Sequence, residues 1–305
     1  MRLIIKQKIY LLYFLLLSIV SVSCNTKSKQ RDLKKVTFKQ VWGIKYTEVK
    51  RRHNNGRSFD RYGYQVDPSW QLTFLSDDSA RIYATNTNSF ANFHITNDHD
   101  SIFHVARTWL RAKKLTKDSL VLQVILVQSN IIYRDRSTVY MTFYADDYIK
   151  NVLKTTPAEL QQPDAADTAF VSRMITHPHK DPDSLFAARN PVVFKSRHPM
   201  VMVSKTKVDA NEFNNHNTAD AYLRPEYNVL IKGAYKDFNY SFTAVVDDRG
   251  QIRLGKSLIG SYEDNTKVLK AIIDGYLKAY FDVTPGNTLG MPQSSKVYIN
   301  VTGQK

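Results

Sequence analysis

Residues 9–22 form an apolar run, and residues 25–39 are polar and rich in Lys, Ser and Thr, with no hydrophobic periodicity before Val36. The run is shorter than the roughly 20 apolar residues that span a bilayer comfortably. The polar stretch carries too little apolar surface to order itself and reads as a tether. Between residues 41 and 150 the pattern is that of β-structure. Trp70-Gln71-Leu72-Thr73-Phe74 alternates, Ser76-Asp77-Asp78-Ser79 breaks it, and Arg81-Ile82-Tyr83-Ala84 returns. Residues 120–127 are too apolar to face water on either side, as a central strand is, and residues 137–144 alternate again. Alternating strands punctuated by turn residues predict an antiparallel sheet, curled or closed into a barrel.

Residues 151–190 change character. Pro157, Pro163, Pro178 and Pro182, with Pro191 just beyond, interrupt everything around them, so the stretch reads as a linker with some helix over 158–174. Residues 191–305 predict an α+β unit. A strand-like region at 227–246 meets a tight turn at Asp247-Asp248-Arg249-Gly250, and residues 251–257 return as the second arm of a hairpin. Val268, Leu269, Ile272, Ile273, Tyr276, Leu277, Tyr280 and Phe281 then fall on one helical stripe, with Lys267, Lys270, Asp274 and Lys278 outside it and Ser261 or Asp264 as caps. A Pro-Gly loop at 284–292 leads to a last strand at 296–301.

The first residues add a location to this outline. Arg2, Lys6 and Lys8 precede the apolar run, and Ser21-Val22-Ser23 ends it before Cys24, the single cysteine of the chain. A basic start, a short apolar centre and a small-residue end describe an export signal over residues 1–23. With Cys24 at its close, the segment resembles a bacterial lipobox, although Ser21 stands where Leu or Val is usual. The resemblance implies lipidation of Cys24, a tether over residues 24–40, and anchoring to a cell-envelope membrane, facing the periplasm of a Gram-negative bacterium.

Two further resemblances concern the folded parts. Leu115-Thr116-Lys117-Asp118-Ser119-Leu120-Val121-Leu122, between two strands, resembles the repeated hairpin of small lipocalin-like lipoproteins. Phe242 and Val245 on a strand, Gly250 at the hairpin, and Pro285-Gly286 with Gly290-Met291-Pro292 before the last strand resemble the C-terminal domain of TonB. Arg224-Pro225-Glu226-Tyr227 echoes the entry to that domain. No N-terminal spanning helix with a Pro-rich spacer accompanies it, so the resemblance implies a domain that pairs with peptides or partner proteins and not energy transduction.

Formal net charge is +15, and loss of residues 1–23 removes Arg2, Lys6 and Lys8 from that total. So basic a chain suits an anionic neighbour. An exported protein meets little nucleic acid, which leaves phospholipid headgroups, acidic glycolipid and peptidoglycan carboxylates. Lys50, Arg51, Arg52 and Arg57 are the candidate contacts, flanking Asn54-Asn55-Gly56, a strong turn that predicts a hairpin with a basic tip. With Cys24 acylated, no disulfide forms, and stability rests on packing.

Candidate chemistry is sparse. Residues 250–257 spell Gly-Gln-Ile-Arg-Leu-Gly-Lys-Ser, a phosphate-loop pattern, but the intervening residues alternate as a strand and no helix starts at Ser257. His177, His179, Asp181 and Asp183 are metal-like in content, yet two prolines make them a polar loop. His94, Asp98, His99, Asp100 and His104 read as an exposed turn. No nucleophile elbow or zincin motif occurs, while a paired-carboxylate glycosidase needs no fixed spacing and stays open. The chain reads as a non-enzymatic envelope lipoprotein with a binding or scaffolding role and no cofactor. The alternatives are a hydrolase of envelope polymer and an amphiphile-binding transport accessory. Convergent carboxylates in a groove would favour the first, and a deep aromatic cavity the second.

Overall fold

A computed structural model of the chain describes residues 35–84, 88–129, 131–177, 181–208, 219–258 and 266–305. The expected signal segment, Cys24, the expected tether up to residue 34, His179 and the proposed caps Ser261 and Asp264 lie outside these. No helix among the described residues is long and apolar enough to cross a membrane.

The structure is mostly β. The first unit runs β1 (Lys45–His53), β2 (Gln71–Phe74), β3 (Ser79–Ala84), β4 (Ser89–His94), β5 (Thr96–Asn97), β6 (Ile102–Val105), β7 (Thr108–Leu115), β8 (Ser119–Gln128), β9 (Ile131–Tyr133) and β10 (Val139–Ala145). Every pairing is antiparallel, in the order β4-β3-β2-β1-β10-β8-β7-β6-β5, with β9 beside the end of β8. The two outermost strands, β4 and β5, are consecutive stretches of chain separated only by buried Ile95, whose amide donates to the Asp78 carbonyl at 2.7 Å. The sheet thus curls round until its ends share one segment, a nearly closed barrel.

Alternation sets which side chains face inward. On β10, Met141, Phe143 and Ala145 are buried and their neighbours are not. Together with Tyr46, Leu72, Phe74, Phe103, Leu110 and Leu120 they fill the interior. Phe38 enters from ahead of β1 and stacks on Phe74, centroids 4.0 Å apart, with Phe103 edge-on at 5.0 Å. The packed unit therefore takes in Phe38, three residues before the boundary placed at 41. The doubly apolar strand β8 is covered on its outer side too. Gln123 there is buried and donates to the Ser137 carbonyl at 2.6 Å.

The expected basic-tipped hairpin does not form. The turn at 54–56 is present, with the His53 amide bonded to the Arg57 carbonyl at 2.8 Å. The chain then leaves the sheet, because the Ser58 amide donates to the buried Asp167 carboxylate at 2.8 Å and Phe59 enters a separate core. A local turn signal lost here to a tertiary contact.

The segment after β10 is a folded connector. It holds α1 (Pro157–Leu160), with a Thr156–Glu159 capping box, and α2 (Ala165–Thr176), capped by Asp164. Phe59, Phe170, Val171 and Phe186 form its small core.

The second unit comprises β11 (Val193–Ser196), β12 (Val201–Lys205), α3 (Asp220–Leu223), β13 (Glu226–Lys232), β14 (Phe238–Val246), β15 (Ile252–Ser257), α4 (Thr266–Ile272), β16 (Phe281–Thr284), β17 (Asn287–Thr288), β18 (Met291–Pro292) and β19 (Ser295–Gln304). Its five-stranded sheet has the order β12-β13-β19-β14-β15, with β13 parallel to β19 and the rest antiparallel. Gly250 turns the β14–β15 hairpin at φ +81°, and the Asp247 carboxylate accepts the amides of Arg249 and Gln251 at 3.0 and 2.8 Å. After α4 the helix continues through a wider turn at Ile273–Leu277 and a last short turn at Lys278–Tyr280. Leu269, Ile272, Ile273 and Leu277 are buried against the sheet, while Lys267, Lys270, Asp274 and Lys278 are exposed. Phe281, placed on the helical stripe by its spacing, instead opens β16.

This packing makes Ile272→Ala cost about 2–5 kcal/mol, because it leaves a cavity under the sheet. Lys270→Ala on the opposite face stays within about 0.5 kcal/mol. Urea unfolding of the two variants separates these outcomes; equal midpoints would mean that the helix is not docked.

Candidate functional site

A cleft of about 370 Å³ opens where the second sheet meets the connector. Strand β19 builds one wall through strict alternation. Ser295, Val297 and Ile299 are buried, so Lys296 and Tyr298 stand on the other face, toward the cleft. The connector supplies Leu185, Phe186 and Ala188, the chain after α3 supplies Arg224 and Pro225, and the loop after β1 supplies Tyr62. The lining is mixed and more polar than apolar, with Leu185, Pro191 and Leu223 beside Asp183, Arg224, Lys296 and the phenols of Tyr62 and Tyr298, and the volume lies in the usual range of about 300–1,000 Å³ for a small-ligand site.

The walls are tied together through the backbone. The Ala187 amide donates to the Tyr62 carbonyl at 2.9 Å. Gly63, at φ +94°, lies so close that a Cβ there would meet the Ala187 carbonyl oxygen at 2.6 Å. Glycine alone permits both the dihedral and the approach. Gln293 donates to the Phe186 carbonyl at 2.6 Å, and Arg189 pairs with Asp67 at 2.8 Å.

Asp183 carries the rim's electrostatics. Its carboxylate lies 2.6 Å from Lys256 Nζ and 2.5 Å from Lys296 Nζ. Hydrogen bonds from Lys256 and then Lys296, with the Lys296 charge, hold it down at about 2. Its 3₁₀ turn, Pro182–Ser184, is capped by Asp181, which accepts the Asp183 amide at 3.0 Å. Arg224, also on the rim, is exposed, with no acidic partner among the described residues.

The residues singled out by sequence are distributed otherwise. Arg51 makes a two-point pair with buried Glu48, both contacts at 2.7 Å. Arg52 binds Asp164 and Asp167, and the Arg57 guanidinium lies 4.5 Å from the Phe170 ring centroid. Lys50 shares the same strand, half-buried near Asp164. These four cations thus lie along β1 and the turn after it, three of them in intramolecular contacts. Of the metal-like set, Asp181 and Asp183 turn to lysines, and no three His, Cys, Asp or Glu residues converge among the described residues. The phosphate-loop letters lie on β15, where Lys256 answers Asp183 and Gly255 packs against Thr243. His99 pairs with Asp98 at 3.1 Å, Asp100 with Arg134 at 3.5 Å, and His104 packs on Trp109.

Sequence reasoning missed Lys296, Tyr298, Arg224 and Tyr62 as a group, since they come from three separated stretches and share no spacing. The only local signal was the alternation of β19, which said that Lys296 and Tyr298 share a face. No protein family's sequence model matches the chain, and no curated protein matches it.

The Asp183 latch has a defined pH dependence. A carboxyl whose folded value is depressed contributes fully above its unfolded value, near 4, and loses that contribution as pH falls through about 2. Side-chain carboxyl NMR should place the Asp183 midpoint near 2 and return it toward the ordinary range when Lys256 and Lys296 are both changed to Ala. An unchanged midpoint in the double variant would mean that the lysines do not hold it.

Proposed function

We propose that this chain is an exported, non-enzymatic binding protein anchored to a cell-envelope membrane by a lipid on Cys24, with the cleft of the second unit as its ligand site. The observation that carries the reading is the cleft itself, which sets Leu185, Pro191 and Leu223 beside the cations Arg224 and Lys296. The barrel interior is occupied by Phe38, Phe74, Phe103 and Phe143, which favours binding in the cleft over an amphiphile held inside the barrel. Among the described lining residues the carboxylate is Asp183, which is held ionised between two lysines and is ill-suited to act as a general acid, and this favours binding over hydrolysis.

The β14–β15 hairpin, the helix and the return of β19 antiparallel beside β14 support reading the second unit as a TonB-like partner-binding module, with β12 and β13 as additions. In this reading the barrel and tether hold that module off the membrane, facing the periplasm, within reach of an envelope protein, peptidoglycan or acidic glycolipid. Fractionation of the producing cells tests the anchor. Wild type should sediment with membranes, and Cys24→Ser, with its signal removed, should appear in the soluble fraction. A processed Cys24→Ser protein that still sediments fully would contradict lipid anchoring.

A further inference from the structure

We infer that the cleft receives an organic carboxylate with an apolar body, Arg224 taking the carboxylate and the apolar lining residues Leu185, Pro191 and Leu223 taking the body; this rests on the cleft being the binding site. The rim already displays that recognition once, because Asp183 sits with one oxygen on Lys256 and the other on Lys296. Two lysines, the second reaching its position from β19 inside the cleft, hold a carboxylate that belongs to the chain itself. Arg224 lines the same cleft, exposed and without an acidic partner among the described residues. A planar guanidinium offers paired N–H donors matched to a carboxylate, and pairs of this kind are the stronger hydrogen bonds.

Other charges agree in sign. Arg61 stacks on Tyr62 at the mouth with its guanidinium 4.5 Å from the ring centroid, and Lys296 lies 4.8 Å from the Tyr298 ring centroid. The lining carries the cations Arg224 and Lys296 against the one carboxylate of Asp183 among the described residues, and such an excess of positive charge in a concavity concentrates anions. The apolar part of the lining sets the second requirement, since a small hydrophilic anion would leave Leu185, Pro191 and Leu223 without a partner. Asp183 opposes the ligand by neutralising the two lysines.

Calorimetry on the full-length chain in a neutral maltoside detergent tests this, with N-acetyl-alanyl-leucine, its C-terminal amide and 4-methylpentanoate as probes. The free acid should bind saturably and at least about tenfold more tightly than the amide. Arg224→Gln should remove that preference. Asp183→Asn should tighten the acid by about threefold or more, through the charge it uncovers. Acid bound tightly with 4-methylpentanoate weak identifies a peptide C-terminus as the source; equal binding of the two identifies a free small carboxylate. Acid and amide binding equally would overturn the carboxylate inference and leave the cleft as a binding site. No saturable binding of any probe, or a preference untouched by Arg224→Gln, would also overturn the inference, while the membrane anchor stands on its own fractionation.

Discussion

The buried carboxylate of Asp167 joins the barrel to the connector. It lies in the first turn of α2, fully buried, and accepts from Arg52 Nη1 and from the Ser58 amide, each at 2.8 Å. Arg52 belongs to β1, so one side chain of the barrel holds the connector, and the Ser58 amide fixes where the chain leaves the barrel. Breaking a buried pair from one side leaves an uncompensated charge, at a cost of about 3–5 kcal/mol. Glu48 repeats the device one turn of pleat away. It is also buried, takes Arg51 at two points and the amides of Ser69 and Trp70 at 2.9 and 3.0 Å. Its own carbonyl accepts from Gln161 of the connector at 2.8 Å.

What those two carboxylates hold decides where the cleft forms. With Ser58 fixed, Phe59 packs against Phe170 and Phe186, and the loop beyond it presents Tyr62 and Gly63 to Ala187. That contact places the connector alongside β19, and the space left between them is the cleft. The same basic residues that make the chain look like a polyanion binder are therefore part of its framework, and the cations left facing the cleft are others. Net charge read from sequence counts both kinds alike. Only burial separates them.

The periodic elements were legible in advance. Strand β8, the β7–β8 hairpin and the stripe of Leu269, Ile272, Ile273 and Leu277 follow from alternation and helical spacing, because each is a local pattern facing one core. The Thr116 hydroxyl accepting the Ser119 amide at 3.0 Å explains why the turn between β7 and β8 stood out. Contacts between distant stretches were not legible. The turn at 54–56 looked like a hairpin because nothing local announces Asp167, more than a hundred residues on. The connector looked like a linker because its prolines open and punctuate short helices that pack only through a long-range core. Arg224 and Lys296 meet through sheet topology alone. His177 and Asp183 looked related because they were near in sequence, and Asp183 instead faces two lysines.

Native-state hydrogen exchange measures the clamp directly, since protected amides report the opening free energy of the unit they belong to. The amides of Ser58 and Ala187 lie outside the strands, bonded to Asp167 and to the Tyr62 carbonyl, and the amide of Glu48 lies within β1, bonded to the Trp70 carbonyl. If the buried carboxylates lock barrel and connector together, all three should exchange through the same high-energy opening. Ser58 and Ala187 exchanging at loop-like rates while Glu48 stays protected would contradict it, and the cleft would then be a transient contact between independent parts.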